Sequence, residues 1–420
     1  MAPTPELLLD LPDELLEAIL LRLAAAADLA RASAACATFH RLISADPSFL
    51  RRFRALHPPP AIGFLVDDDG FYPAVPPHPS APAALAVAKA ADFSFSFLPQ
   101  PGPWACRDSR DGRVLVVRVV SRPLRPRGGH GVGSDEQGGA VVEFINLAVC
   151  DPLSRRYVLL PPILDKLTVP GEQGRLVDFE PVLAPNSDDD DEEASETSFR
   201  VVARAQHENK MVAFVFSSLT GQWRGFELDG WTAMAADVRS LLGVPSMLCC
   251  PFFYAHGCFY WTLPEGGDKL LVLDIRRMKV SIIQLPRGSC GPYAFAISEQ
   301  GEGCVAIFTF PKGAQHLCYT IRRMEGEGAK GWHWNLEFEK KIPLPAHHRC
   351  GVAGATDGYL LIRGVPEDWG SKSYHKDPEI QYYSLELRTM KLERMCVLCP
   401  NVVHAELHTS FPPSLSLPRL

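Results

Sequence analysis

Apolar residues at Leu11, Leu15, Leu16, Ile19, Leu20 and Leu23 recur at the i, i+4, i+8 spacing that lines one face of an α-helix. Asp10 stands where a helix cap belongs, Pro12 fits the opening turn, and Asp13 and Glu14 put negative charge at the positive end of the helix dipole. A second stripe begins at Asp28 and runs through Leu29, Ala32, Ala35, Cys36 and Phe39 to Leu42 and Ile43. A third start, Asp46-Pro47-Ser48, precedes Phe49, Leu50 and Phe53. The pattern predicts three short helices between residues 11 and 53. So small a unit buries little core of its own, which points to a partner that covers its apolar ladder.

Beyond Pro58-Pro59-Pro60 the helical period gives way to short β-branched and aromatic runs divided by Gly, Pro and Asp. Two pieces recur. One is a polar residue and glycine ahead of an apolar run, at Asp111-Gly112, His256-Gly257 and Asp357-Gly358, with a looser copy from Gln300 to Phe310. The other is a strand ending in a polar residue, a basic turn and a second strand, with its polar position at Asp151, Ser218, Asp274, Thr320 and Glu386. Spacings of 67, 56, 46 and 66 residues suit four-stranded propeller blades. Sheets this small need neighbours on both faces, and radial closure supplies them. The expected architecture is an all-β propeller of about six blades behind a small helical unit, an α+β multidomain chain. Its sixth blade would be closed by both termini, with strands between Ile62 and Leu98, including IGFLV and DFSFSF, pairing with strands between Cys399 and Leu415. A pair of β-sandwiches fits less well, because the second piece returns in order five times.

The helical stretch resembles the F-box, the motif through which substrate receptors dock on the Skp1 adaptor of cullin–RING ubiquitin ligases. The resemblance rests on Leu11-Pro12, the Leu15/Leu16, Ile19 and Leu23 ladder, Asp28-Leu29, Cys36, an aromatic at Phe39, Leu42-Ile43 and Asp46-Pro47-Ser48-Phe49. The chain departs from the family at Phe39, where Trp is usual, and at Ala24 to Ala27, where a basic or Ser/Pro-rich turn is usual. Its tandem order resembles plant, grass-type F-box proteins with a C-terminal F-box-associated or Kelch-like propeller, without the paired glycines of a regular kelch repeat. The resemblance implies an F-box over 8–55, a proline-rich linker over 56–61 and a propeller over 62–420, within which the run of acidic residues is expected to form a disordered loop at 185–197. It further implies Skp1 contact through Leu11, Pro12, Leu15, Leu16, Ile19, Leu20, Leu23, Leu29, Cys36, Phe39, Leu42 and Ile43, and through that adaptor an association with cullin and RING subunits.

Charge and motifs narrow the function. Net charge is -7, and the segment from Asp188 to Glu196 holds seven acidic residues, so the remainder is neutral and lacks the basic surplus of a nucleic-acid binder. No apolar run approaches about twenty residues, and the N-terminal stretch has neither the basic start nor the apolar core of a signal peptide. No membrane association is expected, and the expected location is cytoplasm, nucleus or both. The twelve cysteines are scattered, Cys396-x-x-Cys399 has no second pair at zinc spacing, and His347-His348 would point to opposite faces of a strand. The glycine-rich 128–133 opens no helix, and no GxSxG, HExxH or P-loop occurs. No catalytic residue, metal or cofactor is expected. Arg155, Arg276 and Arg322 would stand in repeated turns on one rim, suited to an acidic segment of a target. Trp369, Tyr374 and His375 lie in an insertion at 366–378 with the composition of a recognition loop. The leading expectation is a non-catalytic substrate receptor of an SCF-type ligase. A Skp1-binding scaffold outside the ligase, or a propeller carbohydrate-binding protein or enzyme with a helical cap, stays open at this level.

Overall fold

The computed structural model describes residues 11–23, 26–45, 47–57, 59–66, 69–99, 104–122, 141–163, 176–184, 197–207, 210–228, 252–262, 269–285, 295–301, 303–311, 313–325, 333–356, 358–369, 379–398, 405–411 and the single residues 402, 413 and 420. The acidic run, the glycine-rich 128–133, Tyr374 and His375 lie outside them. Four helices, not three, form the N-terminal unit: α1 (Asp13–Leu20), α2 (Ala26–Ala35), α3 (Ala37–Ala45) and α4 (Pro47–Leu56). The second stripe breaks at Cys36, whose carbonyl accepts the His40 N–H at 2.9 Å as the first bond of α3. The Cys36 thiol faces the backbone N–H groups of Phe39 and Thr38, which hold its pKa below the ordinary thiol value, so the residue caps a new helix instead of continuing the old one. Leu16, Leu20, Leu29, Leu42, Ile43, Phe49, Leu50 and Phe53 form the core of the unit. Arg41 clamps both carboxylate oxygens of Asp13 at 3.0 Å and Arg52 meets Glu17 at 2.6 Å, tying α1 to α3 and α4.

Five four-stranded antiparallel sheets follow. From the axis outward they are β3–β6 (Ala105–Arg110, Arg113–Arg122, Val141–Asp151, Arg156–Leu159), β7–β10 (Leu176–Ala184, Arg200–His207, Met211–Ser217, Gln222–Glu227) and β11–β14 (Phe252–Ala255, Cys258–Thr262, Lys269–Asp274, Lys279–Gln284). The remaining two are β15–β18 (Phe295–Gln300, Cys304–Thr309, His316–Glu325, His333–Pro343) and β19–β22 (His348–Thr356, Tyr359–Pro366, Ile380–Glu386, Lys391–Leu398). A sixth sheet joins the two ends of the chain: β23 (Glu406–Thr409) is its inner strand, β1 (Ala61–Val66) pairs with it from Ala61↔Thr409 to Leu65↔Glu406, and β2 (Gly70–Pro73) lies outside. The inner strand β23 packs between β19 and β3, closing a six-bladed propeller. Apolar residues fill the seams between blades. Phe259, Trp261 and Leu273 meet Val182 and Met211, while Phe253, Phe295 and Phe308 share a cluster with Leu360 and Leu385.

Both recurring sequence pieces are turns, which the backbone explains. Between inner and second strands, Asp111 and Gly112 (φ 53° and 73°), His256 and Gly257 (50° and 78°) and Gly358 (83°) occupy the left-handed region that a two-residue hairpin requires. Between third and outer strands, Arg155, Gly221, Met278 and Met390 are likewise left-handed. Asp151 accepts the N–H groups of Leu153 and Ser154, and Asp274 those of Arg276 and Arg277, so the repeated acidic residue shapes the turn.

Three expectations are corrected. Thr320 and Arg322 are in the middle of β17, which runs to Glu325 because its hairpin with β18 is longer than in other blades, so Arg322 is not a turn residue. DFSFSF is no strand: Asp92 accepts from the Ser94 N–H and hydroxyl and from the Ser96 hydroxyl, curling the segment while Phe95 enters the core. A helix, α5 (Ala81–Ala90), stands where only strands were expected, because a proline-led alanine run favours it.

Candidate functional site

The exposed side of α1 is the candidate docking face. Leu16 and Leu20 are 1% and 3% exposed, whereas Leu15 and Ile19 are 52% and 43% exposed on the same two turns. Consecutive residues on a helix stand about 100° apart, so each Leu-Leu or Ile-Leu pair divides between core and surface. Pro12 is exposed beside them, and Leu11, Leu23 and Phe39 are half-buried against the core. Of the residues expected to touch an adaptor, Leu16, Leu20, Leu29, Leu42 and Ile43 are buried within the unit itself and serve as its framework, and Cys36 is half-buried at its α3 cap. Pro12, Leu15 and Ile19 are left as open apolar surface.

One contributor was not foreseen. Phe411, just beyond β23, belongs to the same buried cluster as Leu16, Leu20 and Phe53. It follows no periodic pattern, since Ser410 and Pro412 flank it and only the return of the chain brings it there.

The propeller's expected contact residues divide between its two ends. Turns from inner to second strand and from third to outer strand share one end, where the Ile275 N–H donates to the Gly257 carbonyl at 3.0 Å and Leu387 to Gly358 at 2.9 Å. Arg155 and Arg276 stand in that ring of turns, Arg276 with its side chain over Gly257. Helix α4 leads into β1 at this same end, because Ala61 pairs with Thr409, the last residue of the inner strand. Trp369 follows β20 and is therefore at the opposite end, half-buried on the core with its carbonyl accepting from Arg349 at 3.2 Å.

Within the channel, a small polar cleft is lined by Asp108, Ser109, Arg110, Tyr254, Ser298 and Thr356 among others. Arg110 lies over the Tyr254 ring at 5.6 Å, and Asp108 accepts the N–H of Leu183 at 2.6 Å, linking the first two blades. Ser109 Oγ meets His408 Nδ1 at 2.7 Å. Burial drives the His408 pKa down to about 4, leaving a neutral ring at pH 7. Ser109 and His408 are both buried, and their contact ties the first blade to the closing blade.

The F-box-like family profile matches residues 8–55. No curated protein matches the sequence. Among solved structures, the chain is similar to the intramolecular trans-sialidase of Ruminococcus gnavus (TM-score 0.36, 11% identical, covering 79% of this chain and 72% of that one). It is also similar to the Aleuria aurantia lectin (0.32, 9% identical, 70% and 77%) and to the WD40 domain of SCAP from fission yeast (0.27, 9% identical, 70% and 73%). The chain thus carries a short helical F-box-like region ahead of a six-bladed, all-β propeller.

Proposed function

We propose that this chain is the substrate-recognition subunit of an SCF-type ubiquitin ligase, of the grass-type F-box class with an F-box-associated or Kelch-like propeller, working in the cytoplasm or nucleus. One observation carries the reading: in a stretch matched by the F-box-like profile, Leu15 and Ile19 stand in solvent while their helix neighbours are buried. Two open apolar side chains one turn apart on a short helix suit burial against a partner, and a Skp1-type adaptor is the partner that an F-box implies. The contribution is proximity. The helical face fixes the chain on the adaptor, and through cullin and RING subunits the propeller holds a target protein near a charged ubiquitin-conjugating enzyme. Such a receptor makes and breaks no bond and needs no cofactor.

The target surface in this reading is the loop end of the propeller, around Trp369. The helical unit is joined at the turn end, so Arg155 and Arg276 share their end with the adaptor side and the opposite end is left for the target. Reconstitution with a Skp1-type adaptor, cullin and RING subunit tests the assignment. Wild-type chain is expected to be ubiquitinated within the assembly, and the Leu15→Asp, Ile19→Asp double variant is expected to escape. Adaptor binding without any ubiquitin transfer would favour a scaffold outside the ligase.

A further inference from the structure

The chain leaves the closing blade beside the point at which it entered. Ala61 pairs with Thr409, and the Ser410 N–H donates to the Pro60 carbonyl at 3.2 Å. The next residue does not run out to solvent. Phe411 is 2% exposed, with its ring centroid 6.5 Å from that of Phe53. Phe53 in turn lies 4.4 Å from the His57 ring, whose Nε2 is 2.9 Å from the Leu21 carbonyl at the end of α1. A side chain from the far end of the sequence therefore closes the base of the helical core, against the residues that fix α1.

We propose that Phe411 is a positioning residue for adaptor docking: by filling the core under α1 it holds Leu15 and Ile19 outward, so that a docking-competent helical unit requires a closed propeller. This rests on the adaptor-docking reading above. Helix α1 has only eight residues and two turns, too few to persist without tertiary support. Its orientation is set by Leu16 and Leu20 in the core that Phe411 shares. Because Phe411 follows two residues after β23, the inner strand of the closing blade, blade closure and adaptor docking are linked, and linkage is reciprocal. Adaptor binding must then steady the β1–β23 pair.

The test uses the full chain with Phe411→Ala and Phe411→Leu, measuring adaptor affinity by titration and backbone hydrogen exchange with and without adaptor. Phe411→Ala is expected to weaken adaptor binding by about tenfold or more, to speed exchange across 13–20 and to leave 304–309, in a distant blade, unchanged. Phe411→Leu, which refills most of the space, is expected to restore affinity. Adaptor is expected to slow exchange in 406–409 of the wild type but not of Phe411→Ala, a response that simple loss of packing does not produce. Equal adaptor affinity of wild type and Phe411→Ala would overturn the inference alone. Failure of the wild type to bind adaptor would instead remove the reading on which it rests, and global loss of protection in Phe411→Ala leaves Phe411→Leu to decide.

Discussion

On α1, adjacent leucines have opposite duties. Leu20→Ala removes a buried side chain and is expected to cost about 2–5 kcal/mol in urea unfolding, whereas Leu15→Ala is expected to stay within about 0.5 kcal/mol, because Leu15 touches little. The stripe was legible in the sequence, but its direction was not: Leu15-Leu16 and Ile19-Leu20 describe two parallel stripes about 100° apart, and the i, i+4 spacing favours neither. His408 gives a pH signature. Burial holds its pKa at about 4 in the folded chain against 6.5 ordinarily, Asp151 opposing only in part. An unfolded chain takes up the proton that the folded one refuses. Its contribution to stability is therefore whole above about pH 6.5 and lost progressively toward pH 4, by about 3 kcal/mol. Melting of His408→Gln, which keeps a partner for Ser109, is expected to fall less steeply across that window; identical slopes would refute the assignment.

Among the elements, the turns were the most legible part of the propeller because their chemistry is local. An acidic residue that gathers its own turn's N–H groups and a left-handed residue before the outer strand leave a repeated signature. Asp274→Ala should cost about 1 kcal/mol in thermal unfolding, while Asp274→Asn, which keeps an acceptor, should be near neutral. Equal effects would show that charge, not the turn bonds, sets the residue. Thr320 was misaligned because strand length depends on pairing with β18, which no local motif encodes. DFSFSF alternates like a strand, yet Asp92 offers its backbone and serines a nearer partner. Blade-to-blade fit was not legible. The Ala405 N–H donates to the Ala353 carbonyl at 2.8 Å, and a Cβ on Gly354 would run into the Ala405 carbonyl oxygen. Gly354→Ala is expected to open the β19–β23 seam, read as a lower melting temperature and faster exchange at 405–409.

For the molecule as a whole, closure sets the arrangement. The strand–turn–strand piece that returns five times and the need to cover small sheets were enough to anticipate about six blades with both termini in the last. The placement of the helical unit on the turn end was not, because it follows from the direction of β23, a property of the closed ring. That placement puts the helical unit at one end of the propeller and the loop end carrying Trp369 at the other, the separation that the proposed receptor role requires. The most direct test is titration of full-length chain against a Skp1-type adaptor, comparing wild type with the Leu15→Asp, Ile19→Asp variant and with Arg388→Gln, an exposed change in a propeller turn. Saturable binding by wild type and Arg388→Gln, abolished in the double variant while its melting temperature is unchanged, is the expected result. A folded wild type that does not bind, or a double variant that binds as well as wild type, would contradict docking through α1.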